Sequence, residues 1–547
     1  MHVSVCEDTG MAGNESVMPE QLQTGWRSAG LWADESLGQA MARAARERPH
    51  AQLRFHGAEG ERVITLGELH AEGLKLAGRL HALGLRPGEV LAMQVPAGIE
   101  NAILTQAAAA LGCTLLQIVH IYGPHELAHI LADSGAKALI VPRRWRNIDY
   151  LDRLARLPDL PALAHRIVMG AEASDGMLAL DNLPDGDLPE IVHDPDGLAV
   201  LLYTSGTTAA PKGVRHSSRS LLAELKAQGL GRKPDDWVLS PWPSGHIAGT
   251  LGVLGHALLG RPTILLESWD AALAARLVDR FKVAQMSGTP FHLSGLMEAA
   301  EKGGYDLGSF EQFLIGATTV PPALVAACEA AGIRCCRCYG STELPTATQC
   351  VPADPLDKRL GTDGRPNPGV EVRIVGDGGE DLPVGTEGEV AVRGAERFLG
   401  YTDPELNAAS FLPGGWFLTG DIGRLDPEGY LAITDRKKDI IIRGGENISS
   451  REVEELLLQV PGVREAAAIG APDARLGERI CAVVTLAEGA QVTVADIDEA
   501  FRRIGVARQK TPELLIVVEE FPRTPSGKIQ KAELRRELGA SGRLALP

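Results

Sequence analysis

The chain has 547 residues, 44% of them apolar and 23% charged, which describes a globular protein too long for one compact core and suited to two or three domains. A net charge of −17 argues against a nucleic-acid binder, because phosphate backbones are held by a basic surplus, yet it leaves room for local cationic pockets. Residues 1–23 lack the charged-then-apolar order of a secretory signal, no run approaches the ~20 consecutive apolar residues of a membrane span, and eight irregularly spaced cysteines suit a reducing compartment, so a cytoplasmic location is expected.

In chain order, residues 1 to about 27 are expected to be loose, with 26–32 lying across the surface of the first domain. Residues 66–85 have helical apolar spacing, 87–89 form a turn, 90–95 read as a strand and 100–111 as a helix. The same rhythm continues in strands at 138–141, 198–203, 263–266, 284–287 and 313–315, and in a buried strand through Cys335. Strands separated by helices imply a parallel sheet covered on both faces. Cys335, Cys336 and Cys338, with Cys350 nearby, lack C-x-x-C spacing, so a core strand is preferred to a metal site. From 370 the pattern changes to short strands with Gly/Pro turns (370–375, 388–393), a small β subdomain. The charged run DRKKD at 435–439 marks a boundary. It is followed by an apolar run at 440–442, a Gly-Gly turn and a helix at 450–459, in a last segment of about 110 residues sized for a small α+β domain. The expected units are 1–435 and 436–547.

The most informative run is YTSGTTAAPKG at 203–213, directly after an apolar strand. The hydroxyls of Thr204, Ser205, Thr207 and Thr208 and the amides of Gly206 and Gly213 can donate to phosphate oxygens, and Lys212 adds a full positive charge. The spacing is not G-x-x-x-x-G-K-[ST], since five residues separate Gly206 from Lys212 and the next glycine follows the lysine. Downstream come YGSTE at 339–343, WFLTGD at 416–421, Arg436 and PRTPSGKI at 522–529. An aromatic ring offers a π-face to a base, and a carboxylate beside a triphosphate is tolerated chiefly with a cation between them.

These five elements, in this order, resemble the motifs of the adenylate-forming enzymes, a family that includes acyl-CoA and aryl-CoA synthetases, peptide-synthetase adenylation domains and firefly-type luciferases. The resemblance covers roughly residues 35–540. It implies an α/β fold in which a large N-terminal domain of parallel-sheet α/β subdomains and a small β subdomain precedes a mobile α+β C-terminal domain. It also implies ATP and Mg²⁺ as cofactors, coenzyme A as co-substrate and a small carboxylic acid as substrate.

By the same resemblance, Lys528, Glu343, Thr204 and Lys212 are catalytic, Glu343 meets the metal, and Ser205, Gly206, Thr207 and Thr208 grip phosphate. Gly316, Ala317, Tyr339, Gly340, Ser341 and Thr342 face the nucleotide, with Tyr339 stacking on adenine. Asp421, after its strand, and Arg436 hold the ribose. Lys438 is the hinge, and Gly444 and Gly445 face the thiol of coenzyme A after the small domain rotates.

PSGHIAG at 243–249 resembles the family's acyl-site segment, in which the residue before His is commonly aromatic; here it is Gly245, which implies extra room beside His246. No acidic residue lies between 239 and 267 to pair with a substrate amine, which favours an uncharged acyl group. Gly316 and Thr318 are expected to floor a pocket for a medium-sized, cyclic or branched acid. The expected activity is AMP-forming acid:CoA ligation, with loading of a carrier protein as the alternative, and a luciferase or a non-catalytic relative as further readings. A homodimer, and a lysine acetyltransferase acting on Lys528, are partners this expectation admits.

Overall fold

The protein is described from a computed structural model covering residues 18–170, 176–204, 211–229, 233–318, 320–443, 446–473, 476–504, 508–524 and 527–544. Ser205, Gly206, Thr207 and Thr208, expected to grip phosphate, and Gly444 and Gly445, expected to face coenzyme A, therefore lie outside the described residues.

Two largely parallel sheets form the large domain. One has nine strands, with a parallel centre made of Gln52–Gly57, Thr263–Leu266, Val238–Ser240, Gln285–Gly288, Gln312–Ile315 and Cys335–Tyr339. The other has eight, with Leu198–Thr204, Thr114–Gln117, Val90–Met93, Ala138–Pro142 and His165–Met169 parallel at its centre. Continuous apolar runs such as Thr263–Leu266 bury every residue because helices cover both faces. The helix Leu66–Leu83 shows how that cover is built. A capping box joins Thr65 and Glu68 at its start and left-handed Gly84 ends it, while Leu66, Leu69, Leu76, Ala77 and Leu80 form the buried stripe.

An antiparallel five-stranded sheet, Val370–Val375, Gly388–Gly394, Phe411–Leu412, Trp416–Leu425 and Leu431–Arg436, completes the large domain. A second five-stranded sheet, from Ile441–Arg443 onward, belongs to the separate C-terminal domain. The sequence expectation of an α/β fold with a small β subdomain and a small α+β domain is met. Between Arg436, the last residue of its strand, and Ile441, the first of the next sheet, runs the turn 437–440.

One expectation fails at the start of the chain. Residues 20–28, expected to be loose, form the helix Glu20–Ser28 with Trp26 buried against Ala223 and Ala395. Trp32 adds a hydrogen bond from Nε1 to the Ala395 carbonyl at 2.8 Å. The helix is short and mostly polar, so its order comes from this docking and not from its own periodicity.

Candidate active site

A cavity of about 940 Å³ opens across the carboxyl ends of both parallel sheets. Its wall includes Thr204, Ser240, Gly288, Gly316 and Gly340, each at or just beyond the end of a parallel strand. Ligand sites of open α/β sheets form in this position because chain reversals there expose polar backbone and short side chains.

The strand Leu198–Thr204 returns as the antiparallel strand Lys212–Ser217, with Thr204 paired to Lys212. Thr204 and Lys212 thus flank a hairpin loop and both line the cavity. Lys212 Nζ lies 5.6 Å from the centroid of the Tyr401 ring, whose hydroxyl donates to Glu343 Oε1 at 2.7 Å. Tyr401 therefore touches both groups, the cation over its ring and the carboxylate at its hydroxyl. Nothing in the spacing of the motifs points to it. Glu343 and its neighbours are anchored by backbone: Phe398 N donates to the Glu343 carbonyl at 2.8 Å, and His216 Nε2 is 2.7 Å from the Thr342 carbonyl. Ser341 and Thr342 line the cavity beside Glu343. Gly340 is required by close approach, since a Cβ there would lie 2.0 Å from the Pro345 carbonyl oxygen.

Asp421 sits inside the strand Trp416–Leu425, not after it as the sequence suggests. Glu389 pairs with Ile422 and Ala391 with Leu418, so Val390 alone faces the three residues Thr419, Gly420 and Asp421. This bulge, with Gly420 at φ +72°, turns the buried Asp421 to the cavity wall. Across the neighbouring strand Asp421 pairs with Arg436, whose Nε lies 2.7 Å from Asp421 Oδ1, and Tyr339 donates its hydroxyl to Oδ2 at 2.7 Å. Tyr339, expected to stack on adenine, is tied into this cluster and is not among the residues lining the cavity.

Lys528 enters from the C-terminal domain on a tight turn. Thr524 N donates to the Lys528 carbonyl and Gly527 N to the Thr524 carbonyl, both at 2.8 Å, with Gly527 at φ +83°. A Cβ on Gly527 would be 3.5 Å from the Phe291 ring, so this turn rests on the large domain. Lys528 lines the cavity with Arg436, Lys437 and Lys438. Its ammonium is pushed down to about 7, first by the charge of Arg436, then by burial, with Asp421 opposing both. The joint is held by Lys437, whose amide donates to the Gly420 carbonyl at 2.9 Å and whose Nζ is 3.0 Å from Glu389. Glu389 is another residue without a sequence signal. Lys438 itself is exposed. Five cations, Lys212, Arg436, Lys437, Lys438 and Lys528, thus face Glu343, Glu389 and Asp421, a local positive surplus in an acidic protein.

On the other side of the cavity, His246 caps the helix Ile247–Leu259, its Nδ1 accepting from Ala248 N at 3.3 Å. It stacks on Trp242 at 5.3 Å, and burial together with the Lys528 charge pushes it down to about 4, so it is neutral at pH 7. Gly245 lines the cavity, but its lack of a side chain does not create room for substrate. Its φ is +84°, and a Cβ would stand 2.5 Å from Val119 N and 2.7 Å from the Ile118 carbonyl carbon. The glycine is required by backbone, which overturns the expectation that an aromatic at 245 would simply narrow the acyl site. Gly245→Phe should lose activity toward all acids alike and lower the melting temperature; a stable variant that rejects only bulky acids would contradict this.

Gly316 is likewise forced by its surroundings: the Cys338 carbonyl oxygen and sulfur would each lie 2.7 Å from a Cβ there. It lines the cavity with Ala317, which takes a left-handed φ of +65°. Thr318, expected beside them, is exposed and absent from the lining; the left-handed turn at Ala317 carries the chain away.

A nucleotide-sized cavity between two parallel sheets, closed by a lysine-bearing small domain, defines an adenylate-forming enzyme. The chain matches the AMP-binding enzyme family over residues 41–402 and the AMP-binding enzyme C-terminal domain over 452–528, and it belongs to that family. It is 36% identical to the medium-chain fatty-acid–CoA ligase of Escherichia coli (strain K12), across 95% of this chain and 93% of that one. It is 34% identical to the 2-hydroxy-7-methoxy-5-methyl-1-naphthoate–CoA ligase of Streptomyces carzinostaticus, across 96% and 97%. The solved structure of o-succinylbenzoate coenzyme A synthetase from Bacillus subtilis, in complex with ATP and magnesium ion, superposes with a TM-score of 0.78 at 26% identity, covering 91% of this chain and 99% of that one.

Proposed function

We propose that the protein is an AMP-forming carboxylic acid:CoA ligase acting on medium-sized acids, aliphatic or aromatic. The observation that carries this is the convergence of Lys528, from the small domain, on the same cavity as Lys212, Glu343, Asp421 and Arg436. The CoA-ligase relatives favour coenzyme A over a carrier protein as acceptor.

In the first half-reaction the substrate carboxylate attacks the α-phosphorus of ATP, the bond to pyrophosphate breaks, and an acyl-adenylate forms. Lys528 and Lys212 meet the negative charge that grows on the phosphate oxygens, in a site that excludes much of the bulk water. Neutral His246 borders the acyl group, and Asp421 offers two oxygens to the ribose hydroxyls. The oxygen donors Glu343, Thr204 and Thr342, beside a cationic wall, fit a hard divalent cation; Mg²⁺ held there would neutralise phosphate charge next to the Glu343 carboxylate. In the second half-reaction the thiol of coenzyme A attacks the acyl carbon and AMP leaves. The unit 436–547 turns on Lys438 against 1–435, withdrawing Lys528 and bringing Gly444 and Gly445 to the thiol. The exposure of Lys438 supports this, because the pivot can change its backbone angles without unpacking a core.

Acetylation of Lys528 by a lysine acetyltransferase would remove its charge and silence the first half-reaction. We place the protein in the cytosol; the seven described cysteines are all unpaired and no described helix is long and apolar enough to cross a membrane.

The test is incubation with Mg·ATP, coenzyme A and a panel of carboxylic acids. AMP, pyrophosphate and an acyl-thioester are expected; ADP and phosphate would reject the proposal.

A further inference from the structure

The cavity continues past the nucleotide and reacting-carboxylate region along the helix Ile247–Leu259. Ile247, Ala248, Leu251, Gly252 and Gly255 line it, a single helical face, with Gly252 closely approached by Ser240 Oγ. The helix has 13 residues and is therefore roughly 20 Å long. His246 stands at its start and Arg261 two residues beyond its end. An acyl group that begins beside His246 and Lys528 thus runs toward Arg261, and this remote end is not an apolar dead end.

Arg261 lines the cavity, and its backbone is fixed by His256 Nδ1, 2.7 Å from its carbonyl, and by Thr263 Oγ1 at 3.0 Å. Its guanidinium packs over Gly229, where a Cβ would lie 2.6 Å from Nη2. Among the described residues it has no hydrogen bond or ion pair. Burial works against its charge and holds it below the usual arginine value, while Asp236 favours the charge from beyond ion-pair distance. Ser240, 95% buried and also on the cavity wall, has an Oγ with no hydrogen-bond partner. Among the described residues no side chain or carbonyl meets the five guanidinium donors, and with the unmatched Ser240 hydroxyl on the same wall they are open to an oxygen of a ligand in the cavity.

We propose that Arg261 is a specificity residue that binds an oxygen at the end of the acyl group remote from the reacting carboxylate, so that the preferred substrates are medium-length acids carrying a distal hydroxyl or carbonyl. This rests on the acid:CoA ligase reading and adds the substrate class to it. Asp236, whose negative charge already acts on Arg261, makes a neutral oxygen a better match than a second carboxylate.

Arg261 and Leu225 also form the wall shared with a second cavity of about 560 Å³ beneath Ala29, Gly30 and Leu31. A plain length stop is therefore the competing role for Arg261, and the experiment separates the two.

The experiment measures AMP release with Mg·ATP and coenzyme A for octanoate, decanoate and dodecanoate against their ω-hydroxy counterparts. At the best length, the ω-hydroxy acid should exceed its parent in kcat/KM by about tenfold, the lower end for a hydrogen bond to a charged group. Arg261→Met should abolish or reverse that ratio while sparing the parent acid. Gly229→Ala, a mild change at a helix end, should erode the ratio by displacing the guanidinium without removing it. Parent acids equal to or better than their ω-hydroxy forms in the wild type would overturn the proposal. So would an Arg261→Met enzyme that gains longer acids whether or not they carry the hydroxyl, which is the signature of a length stop. If no acid yields AMP, the ligase reading itself falls and takes this inference with it, an outcome distinct from turnover without preference.

Discussion

Lys528→Ala should slow formation of the acyl-adenylate by about 10²–10³-fold, the usual loss when one preorganised donor to a developing anion is removed. It should leave thioester formation from supplied acyl-adenylate near the wild-type rate. The reason is the asymmetry of its position. The lysine comes from the small domain, next to Gly527, which packs near Phe291 of the large domain, and it lies among Arg436, Lys438, Asp421 and Asp439, where phosphate charge would gather. The second half-reaction breaks no bond at the α-phosphorus that this ammonium could stabilise. Pyrophosphate exchange reads the first step, and acyl-adenylate plus coenzyme A the second. Equal impairment of both would mean that the lysine stays at the cavity throughout, and the alternation of the small domain would fail with it.

The parts of this site legible in the sequence are those made by one strand and its own turn. The 15-residue separation of Asp421 and Arg436 is the span of a single hairpin, which sets them directly opposite each other. Thr204 and Lys212 are likewise the two ends of one hairpin loop. Residues whose role depends on a distant segment are misleading or silent in the sequence. Gly245 looks like a missing aromatic because the backbone of Ile118 and Val119, which occupies its side-chain direction, is far away in sequence. Thr318 looks like a pocket floor because the left-handed turn at Ala317 leaves no mark in residue type. Tyr401, Glu389 and Arg261 belong to no run of hydroxyls or glycines, and only the packing of sheets and helices brings them to the cavity. The helix Glu20–Ser28 is hidden for the same reason, since Trp26 is buried in a cluster with Ala223 and Ala395, both far away in sequence.

Asp421→Asn should raise KM for ATP by about 10–100-fold, because a charged acceptor is lost from the ribose side, and should leave the ranking of acids unchanged. It should also move the pH profile, with a definite sign. In the free protein Lys528 titrates at about 7, since Arg436 and burial disfavour its charge more than Asp421 supports it. The pH dependence of kcat/KM for ATP reports free-enzyme groups, so in the wild type it should fall above pH 7 as Lys528 loses its proton. Bound phosphates favour the ammonium, so the alkaline limb of kcat should lie higher, and ATP binding at pH 8 should take up a proton, seen as a calorimetric enthalpy that varies with buffer. Removing the Asp421 carboxylate removes the negative charge that holds the Lys528 pKa up. The limb of kcat/KM should then shift to lower pH, and the proton uptake measured at pH 7 should grow. A limb that stays fixed or moves to higher pH while KM rises would mean that Lys528 does not sense Asp421, and that the two meet the nucleotide in different arrangements of the domains.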